Sequence, residues 1–270
     1  MSGALPATAY SQPKTATDSN NTTALNVAVA ANFRNTATQL FAEFEQQYPV
    51  AIRLSTASTG TLYAQTIAGA PFDLVFMADH PSARRLVDDG RAQPASLRIY
   101  ARGTLILTYR LENEKPQALL ALANRLCSPE TLDEKALTPN RQSLLLAIAN
   151  PQLAPYGRAA LQALGNSDQK TPTQKVEIIK GNNVLQAQQF FNNTLVDAAL
   201  VSLSQVIHLD SSEPRCRVKT SLYAPILQSM VVVNKPHRQI QQRDAIKALY
   251  QFLDSPQAMR IMQRNGYYTH

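Results

Sequence analysis

The sequence predicts an α/β protein built from parallel sheets flanked by helices. Apolar runs of strand length alternate along the chain with segments of helical period. The runs at residues 25–30, 51–55, 144–148 and 176–179 each end in small polar or turn residues that open the next helix. The 270 residues are 44% hydrophobic, enough for two domains or one large α/β unit.

Residues 1–24 are rich in Ser, Thr, Asn, Ala and Pro and lack a charged start and an apolar stretch, so they read as a flexible leader. Strand 25–30 runs through Ala31-Asn32 into a helix bearing Phe33, Ala37, Leu40, Phe41 and Phe44. Strand 51–55 runs through Ser58-Thr59-Gly60-Thr61 into a helix with Leu62 and Ile67. Residues 72–78 form a buried strand, and a helix near 84–87 is ended by Asp89-Gly90. Strand 104–109 precedes a helix at 119–126. Strand 144–148 stops at Asn150-Pro151, because proline cannot donate to a sheet ladder. Pro155-Tyr156-Gly157 then opens a helix with Ala159, Ala160, Leu161 and Leu164. Strand 176–179 passes through Gly181-Asn182-Asn183-Val184 into a helix with Ala187 and Phe190 or Phe191. Residues 197–202 and 226–233 are strands, and 240–262 is a helical pair broken near Asp254-Ser255-Pro256.

Two apolar strands, 105–109 and 229–233, bracket the middle of the chain. If both cross between two lobes, lobe one is 25–104 plus 230–270, and lobe two is 105–229. Net charge is +7, with the basic residues scattered. The densest cluster, Lys235 to Arg243, reads as a solvated surface, since no aromatic interleaving or reader motif marks a nucleic-acid face. No apolar run approaches the ~18 residues of a membrane span. Cys127 and Cys216 lack metal-site spacing and are either free buried thiols or a disulfide.

A strand–loop–helix junction leaves backbone N–H groups unpaired at the positive end of a helix dipole, a ready anion site. Four such junctions can converge on one ligand. The residues that surround them carry a family likeness: Val29-Ala-Ala-Asn-Phe33, Ser58-Thr-Gly-Thr-Leu-Tyr-Ala-Gln65, Gly69-Ala-Pro-Phe-Asp73, Ala78-Asp79, Ala147-Ile-Ala-Asn-Pro-Gln-Leu-Ala-Pro-Tyr-Gly157 and Leu203-Ser-Gln-Val206. In these segments the chain resembles the periplasmic molybdate-binding proteins, the substrate-receiving subunits of molybdate ABC transporters. The resemblance implies the type II periplasmic binding protein fold: two lobes, each a mixed or parallel sheet flanked by helices, joined by two crossing strands. It implies a monomer that binds molybdate, and tungstate with it, between the lobes and delivers it to a membrane permease, with no cofactor and no nucleic acid. It places ligand contacts on Ala31, Asn32, Ser58, Thr59, Tyr156 and Val184, the last two through backbone N–H. Where another branch of the family uses a tyrosine, this chain has Ser202. Three positions depart from the family pattern: Ala31 lacks a common hydroxyl, Thr59 replaces a usual serine, and Met77 stands where serine is common.

Such residues offer neutral donors, with the Asn32 amide and the Ser58 and Thr59 hydroxyls beside the helix starts. A site of donors without acceptors rejects a protonated oxyanion, whose O–H is left unsatisfied. Asp73 and Asp79 are not read as catalytic; Asp73 closes a Pro-x-Asp turn and should bond backbone groups. His80 is expected to be solvated, and Ser58 and Ser202 lack a His/Asp pattern for nucleophilic work. The competing functions are a binding protein for another oxyanion or small organic anion, a two-lobed transferase, and a regulatory effector domain. The transferase needs a titratable pair in the cleft, and the regulator needs a helix-turn-helix; neither is visible.

Overall fold

The computed structural model describes residues 23–110, 116–127, 143–165, 176–209 and 213–269. The expected leader lies outside them except for Thr23 and Ala24, which open the first strand. In chain order the first part comprises β1 (Thr23–Ala30), α1 (Arg34–Gln47), β2 (Val50–Ala57), α2 (Thr59–Ile67), β3 (Leu74–Met77), α3 (His80–Asp88) and β4 (Arg98–Gly103). The middle holds β5 (Leu105–Tyr109), α4 (Pro116–Leu126), β6 (Leu144–Ala149), α5 (Pro155–Gly165), β7 (Val176–Gly181), α6 (Val184–Asn192), β8 (Ala198–Ser202), α7 (Leu203–Val206) and β9 (Arg215–Arg217). The chain then returns through β10 (Ile226–Val232), α8 (Ile240–Leu253) and α9 (Pro256–Arg264).

Ten strands form two five-stranded sheets among the described residues, ordered β2-β1-β3-β10-β4 and β7-β6-β8-β5-β9. Each sheet is mixed. β1 is parallel to β2 and β3, and β6 is parallel to β7 and β8. Next to each parallel trio lies an antiparallel strand at a return of the chain: β10 beside β3, and β5 beside β8. The parallel trios obey the βαβ rule, because a crossover helix must return the chain to the same edge. β5 and β10 escape it because the chain enters them from the other sheet.

The expectation that strands 105–109 and 229–233 cross between the lobes does not hold. Instead, β5 pairs wholly within the second sheet and β10 wholly within the first. The chain passes between the sheets at Thr104 and again between Arg217 and Ile226. Tyr223 ties the two passages together: its hydroxyl accepts a hydrogen bond from the Leu105 N–H at 3.3 Å.

Both faces of the first sheet are covered. Phe33, Phe41, Phe44 and Phe76 pack with Leu249 and Phe252 of α8 on one side, while Leu62, Met77 and Leu86 fill the other. Phe33 and Phe76 stack at 5.9 Å, and Tyr267 meets Phe33 edge-on at 5.3 Å. The second sheet is enclosed by α4, α5 and α6, and its core extends to Ala30, Ala31 and Ala78 of the first part. Cys127 and Cys216 form a disulfide, which settles their state; it joins the end of α4 to β9. No helix among the described residues is long and apolar enough to cross a membrane.

Candidate functional site

The parallel strands of both sheets end toward a common seam. Ala30, Ala31, Asn32, Ser58, Thr59, Ala78, Ala154, Pro155, Tyr156, Asn183 and Val184 line one small cavity there. All six residues singled out from the sequence, Ala31, Asn32, Ser58, Thr59, Tyr156 and Val184, are among them. The centre of a water molecule can reach only about 10 Å³ of the cavity, roughly one water's worth. An anion held there has its oxygens close to the wall. The lining contains no charged side chain.

At each junction, internal bonds consume some donors and leave others. Ser58 caps α2: its hydroxyl accepts from the Thr61 N–H at 3.3 Å and sits 2.7 Å from the Thr61 hydroxyl. The Gly60 N–H donates to the Leu153 carbonyl at 2.8 Å. Thr59 is thus left with its own N–H. Its hydroxyl oxygen accepts the Ala78 N–H at 3.0 Å, so the hydroxyl proton is also available to donate. In α5 the first residue is Pro155, which has no N–H. The Gly157 and Arg158 N–H groups both donate to the Ala154 carbonyl, which leaves Tyr156 as the donor of that turn. Asn183 caps α6 by accepting the Gln186 N–H at 3.0 Å, leaving the Val184 N–H. At the first junction the Asn32 N–H makes no turn, loop or cap bond among the described residues, while the Ala31 N–H adjoins the last pair of the β1–β2 ladder, Ala30 with Ala57.

The Asn32 side chain departs from expectation. Its amide nitrogen donates to Gln228 Oε1 and to the Tyr267 hydroxyl, both at 2.9 Å, and so is not a free donor. The Asn32 carbonyl accepts from the Tyr267 and Ser204 hydroxyls, both at 2.8 Å. The side chain therefore fixes the junction and leaves the backbone N–H to the cavity. Ser202 lies outside the cavity. It is fully buried and caps α7 in a reciprocal arrangement with Gln205.

Tyr156 contributes its backbone to the cavity, while its ring fills space beneath. The hydroxyl is buried without a hydrogen-bond partner among the described residues, and burial holds the phenol well above its ordinary pKa, hence neutral. The ring reaches Gly103 at the end of β4, where a side chain would collide with it. Across the seam, Arg158 of α5 pairs with Asp79, the N-cap of α3. Asp73 has no exposure and accepts the Asn26 backbone N–H at 2.8 Å, a backbone bond as expected, but one that reaches β1 and does not close the Pro71-Phe72-Asp73 turn. His80 is the first residue of α3, with Nδ1 3.2 Å from Ser229 Oγ; it is not simply solvated. Among the described residues no cluster of three His, Cys, Asp or Glu could hold a metal ion.

The model of the family described as bacterial extracellular solute-binding protein matches residues 25–268. The chain belongs to that family. It is a family of solute-binding proteins and not of enzymes. Within it, the chain is 29% identical to the molybdate-binding protein of Rhodobacter capsulatus over 245 residues, 90% of this chain and 87% of that one. It is equally 29% identical to the molybdate-binding protein of Azotobacter vinelandii over 246 residues, 90% of this chain and 89% of that one. The solved Azotobacter vinelandii periplasmic molybdate-binding protein superposes with a TM-score of 0.71, at 29% identity, covering 91% of this chain and 99% of that one. The sulfate-binding protein SubI of Mycobacterium tuberculosis, at 15% identity and a TM-score of 0.64, covers 91% of this chain and 86% of its own; it shares the fold. The mixed two-sheet architecture is that of a periplasmic binding protein.

Sequence reasoning missed Gln228, Ser204 and Tyr267 as supports of the first junction. Gln228 did leave a signal, as a polar residue inside the apolar run of β10. Tyr267 left none.

Proposed function

We propose that this solute-binding protein takes up molybdate, and tungstate with it, in the cleft between its two sheets, and delivers it outside the cytoplasm to the permease of an ABC transporter. One observation carries the reading: four strand-to-helix junctions bring unspent N–H groups and the Thr59 hydroxyl to one cavity without a charged side chain. A dianion is then held by dipoles and hydrogen bonds, each contributing about 1.5–3 kcal/mol to a charged partner. A hydrogen phosphate ion would leave its own O–H unsatisfied there. The likeness to two named molybdate-binding proteins over 90% of the chain supports the choice of ligand. The disulfide supports an oxidising compartment.

We infer that the parts carrying the two sheets move as two lobes about the passages at Thr104 and 218–225. Ligand groups lie on both: Ala31, Asn32, Ser58 and Thr59 on one, Tyr156 and Val184 on the other. An anion bridging them favours closure through contacts it lacks in the open state.

Thermal unfolding tests the ligand. Molybdate and tungstate should each stabilise the protein by about 4 kcal/mol at a thousandfold excess over the dissociation constant, with a matching rise in melting temperature. Sulfate and phosphate should shift it little. A sulfate shift equal to that of molybdate refutes the selectivity, and no shift with molybdate refutes the ligand.

A further inference from the structure

We propose a second anion site, which takes a phosphate group, at the edge of the first sheet remote from the cleft. A pocket of about 310 Å³ there is lined by Gln93, Val232, Lys235, Arg238, Arg243 and Ile246. Val232 pairs with Leu74, where β3 begins, whereas the cleft lies past the other end of β3, at Ala78. The two sites therefore sit at opposite edges of one sheet.

Arg238 is the central observation. Its side chain is 4% exposed, and Nη2 donates to the Val233 carbonyl at 2.6 Å, but Nε and Nη1 have no hydrogen-bond partner among the described residues. A buried guanidinium with unspent donors is costly; those two nitrogens face no solvent, so an anion in the adjoining pocket would offset the cost by acting on the Arg238 charge and not as their hydrogen-bond partner. Asp73 compensates in part: it accepts from Lys235 Nζ at 2.8 Å and lies 3.8 Å from Arg238. Arg243 has no ion pair among the described residues, so Lys235, Arg238 and Arg243 share one paired carboxylate. Burial and the nearby Arg243 both draw the Arg238 pKa down, and Asp73 acts against them. A second feature has the same polarity. The 14-residue helix α8 starts at Ile240, three residues before Arg243 of the pocket lining, and its N-cap Gln239 makes no side-chain capping bond. The helix start thus adds partial positive charge.

A phosphate group fits this set better than a carboxylate. It carries a charge of about −1.5 to −2 and three acceptor oxygens, against a net excess of two cations over Asp73. The volume lies at the small end of ligand pockets, which span about 300–1,000 Å³, so an organic remainder has room. Two sources share this chemistry: a soluble phosphorylated compound and an anionic phospholipid headgroup. Ile240, 71% exposed at the start of α8, would suit the second.

Calorimetric titration of inorganic phosphate into protein pre-mixed with excess molybdate tests the site, alongside binding to phosphatidylglycerol and phosphatidylcholine vesicles. Arg243→Gln is the decisive variant, because Arg243 is exposed and its loss should not unfold the chain; Lys235→Gln is the second. The site predicts saturable phosphate binding at one per chain, weakened about tenfold or more by Arg243→Gln, the size of one charge-assisted hydrogen bond. Binding to phosphatidylglycerol vesicles alone, lost in Arg243→Gln and in Ile240→Ser, also supports the site and names the lipid as the source. The proposal is overturned if neither probe binds in the millimolar range, or if binding is unchanged in both charge variants. It is also overturned if added molybdate displaces phosphate, since that would place the phosphate in the cleft. The charge variants report on the remote pocket whatever the cleft binds, so failure here and failure of the molybdate reading are separable.

Discussion

Gly103→Ala should disturb the anion site without replacing any residue that lines it. A Cβ at Gly103 would stand 3.0 Å from Gln228 Nε2 and 3.1 Å from Tyr156 Cζ, and closer still to Tyr156 Oη. Ordinary contact is about 3.5–4.0 Å, so the phenol would have to withdraw by roughly 1 Å. The Tyr156 ring is 2% exposed and has no empty side to turn into. It can retreat only by carrying the first turn of α5 with it, and that turn holds the Tyr156 N–H at the cavity. Overpacking of this kind costs about 1–3 kcal/mol of stability. Loss of one charge-assisted hydrogen bond costs a further ~1.5–3 kcal/mol of binding, or roughly ten- to a hundredfold in affinity. Tyr156→Phe alone should bind normally, because it deletes a hydroxyl that has no partner. Combined with Gly103→Ala it should recover much of the loss, since the closest remaining contacts are then the 3.0 Å one to Gln228 Nε2 and the 3.1 Å one to the ring, which shifts of a few tenths relieve. Urea unfolding and calorimetry on the four proteins give a double-mutant cycle, expected to show coupling above about 1 kcal/mol. Wild-type affinity in Gly103→Ala, or a tenfold loss in Tyr156→Phe, would refute the assignment of the N–H to the ligand and the ring to packing.

Asn32→Ala should destabilise the fold by about 2 kcal/mol, because it removes two buried hydrogen bonds and strands Gln228 Oε1. Chemical denaturation checks this; an unchanged midpoint with weakened binding would make the amide a direct ligand donor instead. Reducing the Cys127–Cys216 bridge, which closes a loop of sequence separation 89, should cost about 4.6 kcal/mol in the chain-entropy account, read from urea midpoints with and without reductant. Arg158→Gln removes the cation paired with Asp79 across the seam. Stopped-flow release of the anion should become several-fold faster; an unchanged rate would mean that the pair does not hold the closed state.

Most of the elements were visible in the chain. Buried parallel strands such as β1, β3, β6 and β8 are short, apolar and followed by helix starts, so local periodicity exposes them. β4 and β9 were missed. Both are edge strands, and β4 carries Arg98 and Arg102 among its six residues, so its pattern is that of a surface segment. Pairing with β10, through a register shift at Gln228/Ser229, makes it a strand. The mixed character of each sheet was hidden for a related reason: the partners of β5 and β10 are chosen by where the chain crosses, a long-range fact with no local signature.

The sequence by itself determined which junctions line the cavity. Helix-start chemistry is local: a cap residue, a proline without an N–H and small side chains define donors within four positions. Only the tertiary structure decided how those donors are spent. Asn32 reads as a donor to an anion until Gln228, 196 positions away, and Tyr267, 235 away, take both of its amide protons. Ser202 stands at the end of β8, where a ligand contact was conceivable, yet its hydroxyl serves its own short helix. The cysteines lie 89 positions apart, and their Cα atoms meet at 6.0 Å only because β9 joins the sheet beside β5 and so brings Cys216 to the end of α4. A hydrogen bond or a disulfide depends on distances of a few ångströms between remote segments, and those distances are fixed by packing, not by local order along the chain.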